Sequence, residues 1–416
     1  MNVLVIGSGA REHALAGRLG AEGNRVYCGP GNAGTADVAE NLSLDPDDAE
    51  AAARACREVR ADLVVIGPED PLAAGLADKL RRAGYPVFGP GAGAARLESS
   101  KDFARAFAER HGVPRARTEV LRTEAELRDY IGRTSGKRVL KKSGLAAGKG
   151  VLESPDPEEL LAFGRSVLGG DVLLAEEFLT GRELSVFAVC DGTRRIVLPP
   201  CGDHKKPLPG NLGPNTGGMG ALCPVPFAGP DLLARIEAEV VEPTFRGLAR
   251  EGLAYPGVLF LGIMAAPDGP KLLEYNVRFG DPETQSLLAV LGGNLGDLLA
   301  SAASGSLDPG AAAAAAAAPE TWACGFVAAA PGYPGAYPKG IPVEAVPGNV
   351  PGRSSVFHAS TRRDPSGRLV TGGGRCFTAV GLGGTLAEAR KNGLDAVRGI
   401  RFEGAWFRED IGAMPA

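Results

Sequence analysis

Short apolar runs alternate with helical periodicity over the first part of the chain. Val3–Gly7 reads as a buried strand, followed by Gly7-Ser8-Gly9-Ala10-Arg11-Glu12 and a helix to about Leu19. Strand patterns at Arg25–Cys28, Asp62–Gly67 and Pro86–Gly89 then alternate with helical patterns at Asp47–Val59 and Leu72–Ala83. That alternation predicts a parallel α/β layer, whose ligands bind at the carboxyl ends of its strands. A helix over Ala95–Arg110 follows, and Val113-Pro114 breaks it. Arg138–Val151 predicts two strand ends around a loop of small residues, and Asp171–Leu179 predicts another strand. After a turn at Thr180–Ser185, Val186–Cys190 continues as a strand. Pro199–Gly220 is loop-like and long enough to suggest a function.

Pro224–Leu253 reads as mostly helical, and Gly257–Ala266 pairs with Lys271–Arg278 across Pro267-Asp268-Gly269. The alanine tract Ala311–Ala318 favours helix, is stopped by Pro319 and reads as a spacer. Beyond it, strand patterns at Cys324–Ala329, Ile341–Val346, Val356–Ser360, Arg368–Thr371 and Cys376–Leu382, with one helix at Leu386–Val397, predict a sheet-rich end.

The chemistry concentrates in Lys271–Gln285. Period-two alternation places Glu274, Asn276 and Arg278 on one face of a strand. A carboxylate and an amide oxygen are hard ligands of the kind Mg²⁺ takes alongside water and phosphates, and Arg278 can fork a phosphate. After the strand, Asp281 reads as a helix cap with Pro282 at the first helical position. The loop around Lys141, Lys142 and Lys149 is not a Walker A motif, because only three residues separate Gly144 from Gly148 and Gly150 stands where that motif has Ser or Thr. A hairpin lid over a triphosphate fits it better. Gly7–Glu12 is only half a dinucleotide fingerprint, since Glu12 replaces its third glycine.

Totals narrow the class. A chain of 416 residues implies several domains, and a net charge of −4 implies no general attraction to nucleic acid or anionic membranes. Seven scattered cysteines without a Cys-x-x-Cys pair suggest neither zinc nor disulfides. No apolar stretch approaches membrane-span length and no signal peptide opens the chain, so a cytoplasmic protein is expected.

The run Glu-Tyr-Asn-Val-Arg-Phe-Gly-Asp-Pro-Glu-Thr-Gln at 274–285 resembles the metal-binding strand of ATP-grasp ligases, in the form of the glycinamide ribonucleotide synthetase family. Ser100-Lys101, Gly144–Val151, Asp203-His204-Lys205 and Gly213–Gly220 resemble further elements of that family in the same order. In the lid loop, Lys142-Ser143 stands where the family has Ala-Asp, and Pro207–Leu212 lacks the acidic residues often seen in relatives.

The resemblance implies an N-terminal parallel α/β domain (1–98), an ATP-grasp core (99–116 and 188–318) with a lid (117–187), and a sheet-rich C-terminal domain (319–416). It also implies ligation of glycine to phosphoribosylamine with ATP and Mg²⁺ or Mn²⁺, by a monomer. By the same resemblance Lys101, Lys141, Glu176, Glu177, Phe178, Leu179, Glu183, Lys206 and Asn215 bind ATP, and Glu274 and Asn276 hold the metal. Arg278 and Lys141 act in catalysis, while Gly9, Arg11, Glu12, Asp203, His204, Thr216, Gly217, Gly218, Met219, Gly220, Asp281 and Pro282 contact the other substrates. Another ATP-grasp ligase, a nicotinamide-dependent oxidoreductase built on Gly7–Glu12, and a non-catalytic nucleotide-binding module are the alternatives.

Overall fold

The computed structural model describes residues 1–144 and 150–413. At the N-terminus, five parallel strands lie in the order Glu40–Asn41, Arg25–Pro30, Asn2–Gly7, Leu63–Ile66, Val87–Phe88. Val3, Leu4, Val5 and Ile6 are all fully buried, as expected of a central strand covered on both faces. The predicted helix Leu72–Ala83 is two helices, Glu69–Ala73 and Leu76–Arg82, because Gly75 between them takes a φ of 80° that ends the first. Ala95–Arg110 is likewise split, into Ala92–Ser99 and Lys101–Arg110. Ser100 is extended at the break and its hydroxyl accepts from the Phe103 amide at 3.3 Å, capping the second helix. Lys101 therefore stands at a helix start.

The segment expected to form the lid holds a four-stranded antiparallel sheet ordered Thr118–Leu121, Leu173–Glu177, Arg138–Lys142, Val151–Ser154. Two helices that the pattern reading did not single out, Glu124–Arg133 and Pro157–Leu168, give it a core of its own around Leu127, Leu140, Leu160 and Leu173. The expected hairpin is present in its two strands, and its loop residues Leu145–Lys149 lie outside the described residues. Arg182–Asp191 is one continuous strand of the next sheet, so the turn expected at Thr180–Ser185 ends at Gly181 and a lid boundary at 187 falls inside that strand.

This central sheet runs Arg195–Val197, Arg182–Asp191, Pro256–Ala266, Gly269–Asn276. The last two strands form the predicted hairpin, with one irregularity: Gly262 pairs with Glu274 and Ile263 with Leu272, leaving Leu273 as an extra residue. Helix Pro309–Ala316 buries Ala312 and Ala315 in the core beside this sheet. The alanine tract is thus a packed helix and not a free spacer, since alanine lets a helix approach its neighbours closely.

In the C-terminal sheet, ordered Gly202–Asp203, Gly220–Cys223, Trp322–Ala329, Arg375–Gly383, Ser354–His358, the first two strands come from the central part of the chain. Helix Leu386–Arg398 packs on it. No single helix among the described residues is long and apolar enough to cross a membrane.

Candidate active site

The strand Gly269–Asn276 carries its polar side chains into a cleft lined also by residues of the N-terminal, lid and C-terminal parts of the chain. Leu272, Tyr275 and Val277 are buried, while Glu274, Asn276 and Arg278 are half-buried and line the cleft. The bulge leaves Leu273 and Glu274 both half-buried in succession, where strict alternation would have set them on opposite faces. Two lobes open from this strand. One, of about 540 Å³, is lined by Gly9, Arg11, Lys101, Arg278, Asp281 and Arg375 among others; the second, of about 780 Å³, runs along Glu176–Glu183, Lys206 and Asn215. They share Lys141, Glu176, Asp203, Lys205 and Glu274.

At that junction three lysines surround one carboxylate. Lys205 Nζ lies 3.3 Å from Glu274 Oε1 and 3.7 Å from Glu183 Oε2. Lys205, together with Lys141 and Lys101 and against the effect of burial, holds the Glu274 carboxyl down to about 2. Lys141 Nζ pairs with Glu176 at 2.7 Å and donates to the Leu273 carbonyl at 3.2 Å, tying the lid to the core strand. Burial opposes the Lys141 charge, yet Glu176 keeps its pKa above the ordinary value. Lys101, half-buried and close to Lys141, has its pKa lowered, chiefly by loss of solvent, and donates to the Gly144 carbonyl at 3.3 Å. Burial works against Arg278 too, but Glu98, 2.7 Å from its Nη2, and Glu69, 3.5 Å from its Nε, raise its pKa and fix the guanidinium beside Asn276.

Of the expected nucleotide residues, Lys141, Glu176, Glu177, Phe178, Leu179, Glu183, Lys206 and Asn215 line the larger lobe, whereas Lys101 lines only the smaller one. Glu177 also receives the Arg117 amide at 2.9 Å and its guanidinium at 2.8 Å, which fixes the chain where it enters the sheet at strand Thr118–Leu121. Lys206 reaches Glu153 on the lid at 3.3 Å.

The substrate set divides. Gly9, Arg11, Asp203, Thr216, Gly217 and Asp281 line the smaller lobe. His204 lies along the larger lobe instead, its pKa lowered to about 4 by burial and Arg408. Glu12, Gly218, Met219, Gly220 and Pro282 line neither lobe. Glu12 is consumed locally: its carboxylate accepts from the Gly9 amide at 2.6 Å and from Arg11 Nε at 2.6 Å, positioning both. Met219 is fully buried and Gly220 pairs with Phe326 in the C-terminal sheet, so strand pairing turns this segment away from the cleft. Asp281 is no helix cap, because the helix begins at Glu283; its carboxylate accepts from Gln285 Nε2 at 3.0 Å.

Sequence reasoning passed over Glu98, Lys205, Glu283, Arg375, Tyr333 and Ser360, which also line the smaller lobe. Lys205 sat inside a recognised motif; Arg375, after Gly372-Gly373-Gly374, carried only a turn signal.

Among the described residues, no three His, Cys, Asp or Glu side chains converge as a metal site. The two hard oxygens of Glu274 and Asn276 fit a divalent ion that draws its remaining ligands from phosphates and water.

Comparison with known proteins decides the family. The models for the N domain, the ATP-grasp (A) domain and the C domain of phosphoribosylglycinamide synthetase match residues 1–98, 99–284 and 323–414. The chain belongs to the phosphoribosylglycinamide synthetase family. Its relatives include the phosphoribosylamine–glycine ligase of Caulobacter vibrioides, 41% identical over 99% of this chain and 98% of that protein. That of Ralstonia nicotianae is 42% identical over 99% of each. The crystal structure of phosphoribosylamine–glycine ligase from Thermotoga maritima superposes with a TM-score of 0.84 at 34% identity, over 99% of this chain and 100% of that one. An ATP-grasp ligase of this family needs ATP and a divalent metal, and both lobes of the cleft bear on that need.

Proposed function

We propose that the chain joins glycine to 5-phosphoribosylamine, forming glycinamide ribonucleotide, ADP and phosphate through a glycyl phosphate intermediate. The observation that carries this reading is the shared junction of Lys141, Glu176, Lys205 and Glu274, which lets a nucleotide in one lobe present its γ-phosphate to a carboxylate in the other. A carboxylate is resonance-stabilised and its oxide leaves poorly, so an amine cannot displace it directly. Transfer of the γ-phosphoryl group to the glycine carboxylate makes a good leaving group, which the phosphoribosylamine nitrogen then expels.

For phosphoryl transfer the residues supply position and charge. Lys101, Lys141 and Arg278 face the charge that develops on the transferred group; before any ligand arrives Lys141 is held by Glu176, Arg278 by Glu98 and Glu69, and Lys101 by the Gly144 carbonyl. Mg²⁺ or Mn²⁺, held by Glu274 and Asn276, would draw charge from the phosphate oxygens. The lid, tied to the core strand through Lys141, would keep water from the acyl phosphate. Glu176–Leu179 and Glu183 would take the adenosine, with Lys206 and Asn215 beside it. Arg11, Asp281, Thr216 and Gly217 would take the second substrate. We place the protein in the cytoplasm as a monomer.

The test is ADP formation from ATP and Mg²⁺, with phosphoribosylamine generated in place from ribose 5-phosphate and ammonia, with and without glycine. Turnover dependent on both substrates is the expected result. ADP release with another acid or amine in place of either one, at equal rate, would refute it.

A further inference from the structure

The end of the chain lies against the larger lobe. Gly412 and Ala413 line that lobe, and shortly before them comes Arg408, whose side chain is 2% exposed. Its guanidinium forks the Asp410 carboxylate, Nε to Oδ1 at 2.8 Å and Nη2 to Oδ2 at 2.7 Å. The remaining Nη1 donates to the Lys206 carbonyl at 2.8 Å and to Asn211 Oδ1 at 3.2 Å. Asp410 Oδ2 also accepts from the Gly210 amide at 2.9 Å. Burial works to raise the Asp410 pKa, yet the Arg408 guanidinium and the Gly210 amide hold its carboxyl down to about 2, so the fork is an ion pair at neutral pH.

The loop held in this way has no core of its own. Every residue from Leu208 to Pro214 is exposed, and Asn211 takes a φ of 58°. With no apolar side chain buried over that stretch, polar contacts have to fix its shape. The tail is the reverse. Ile411 is fully buried in the C-terminal core, and Arg390 of helix Leu386–Arg398 donates to the carbonyls of Glu409 and Ile411, on either side of Asp410. An anchored tail therefore clamps an unanchored loop. Lys206 and Asn211 line the larger lobe, and Lys206 Nζ lies 3.3 Å from Glu153 on strand Val151–Ser154, so the clamped backbone sets where the Lys206 side chain departs.

We infer that Arg408 is a positioning residue of the ligase, which holds the Lys206–Asn211 loop in the shape that meets the nucleotide. The inference rests on the reading above, in which the larger lobe takes ATP. Without the clamp the loop visits other shapes, and the apparent affinity for nucleotide falls by the fraction that stays competent.

The test compares Arg408→Met and Arg408→Lys with the unmodified protein by amide exchange, by affinity for a non-hydrolysable ATP analogue with Mg²⁺, and by the ADP assay. In Arg408→Met, exchange over 206–213 should speed up in the unliganded protein, and analogue affinity should fall roughly 10-fold, as for the loss of one hydrogen bond from a charged donor. The ATP KM should rise with it while the glycine KM stays within about twofold, a split that general loosening would not give. Arg408→Lys keeps the charge but loses the fork, and should fall between the two. Where Arg408→Met melts well below the unmodified protein, Asp410→Asn decides: it weakens the fork from a half-buried position and should show the same split in smaller size. Exchange and analogue binding need no turnover, so an unmodified protein that binds the analogue but releases no ADP with glycine counts against the ligase reading alone. Unchanged exchange over 206–213, unchanged analogue affinity, or ATP and glycine KM values rising in parallel would overturn the inference.

Discussion

Gly218→Val should unsettle the fold before it touches the chemistry. Gly218 has a φ of 104°, which a β-branched residue adopts only with strain, and an added Cβ would collide with Pro282 and sit 2.8 Å from Asp203 Oδ1. The backbone strain costs about 1–3 kcal/mol and overpacking about 1–3 kcal/mol more, so about 2–6 kcal/mol in all. At roughly 2–4 °C per kcal/mol for domain-sized units, the melting temperature should drop by roughly 10 °C. Gly217→Ala is the contrasting variant. Gly217 lines the cleft with an ordinary φ, and its Cβ would meet the Arg375 guanidinium, with the nearest carbon 3.0 Å away, a side chain able to shift. That variant should melt near the unmodified protein and lose turnover with phosphoribosylamine. Differential scanning calorimetry and the ADP assay on the same preparations decide the matter. If Gly218→Val melts within a degree or two of the unmodified protein while turnover collapses, the structural reasoning fails and Gly218 contacts substrate directly.

Three further expectations follow from the charges. Glu274→Gln should raise the Mg²⁺ concentration needed for half-maximal turnover while the fold survives, and an unchanged metal dependence would remove this strand from the metal site. Burial lowers the pKa of His13, His204 and His358 to about 4, so the unfolded chain binds protons first as pH falls. Stability should therefore decline from about pH 6.5 to pH 4, by roughly 1–3 kcal/mol for the buried His13 alone, and a flat denaturation midpoint over that range would contradict the burial argument. Amide exchange in the lid strand Arg138–Lys142 should slow when a non-hydrolysable ATP analogue binds, because Lys141 bridges lid and core; equal rates with saturating nucleotide would mean that the lid does not respond.

Local periodicity made much of this molecule legible, and its failures share a cause. The parallel strands, the hairpin Pro256–Asn276 and the polar face of Glu274, Asn276 and Arg278 all depend on residues a few positions apart, which is the range that periodicity reports. Leu273 escaped because a bulge is a property of the pair: only the register against Gly262 and Ile263 reveals it. The helix breaks at Gly75 and Ser100 had local signals, a glycine and a capping serine, that were outweighed by the continuous helical period around them.

The site residues that went unnoticed depend on partners far along the chain. Glu98 is informative only beside Arg278, 180 positions later, and Arg375 only where the C-terminal sheet brings it to Gly217 and Asp281. The glycine-rich run Gly217–Gly220 shows the same limit from the other side. Glycine permits close approach by any neighbour, and composition does not say whether that neighbour is a ligand or another strand. Gly217 faces the cleft, whereas a Cβ on Gly220 would strike the Gly325 carbonyl across the sheet and one on Gly218 would strike Pro282. A motif can therefore lie at a cleft while most of its residues build the wall behind it, and burial of the neighbouring Met219 is the observation that separates the two roles.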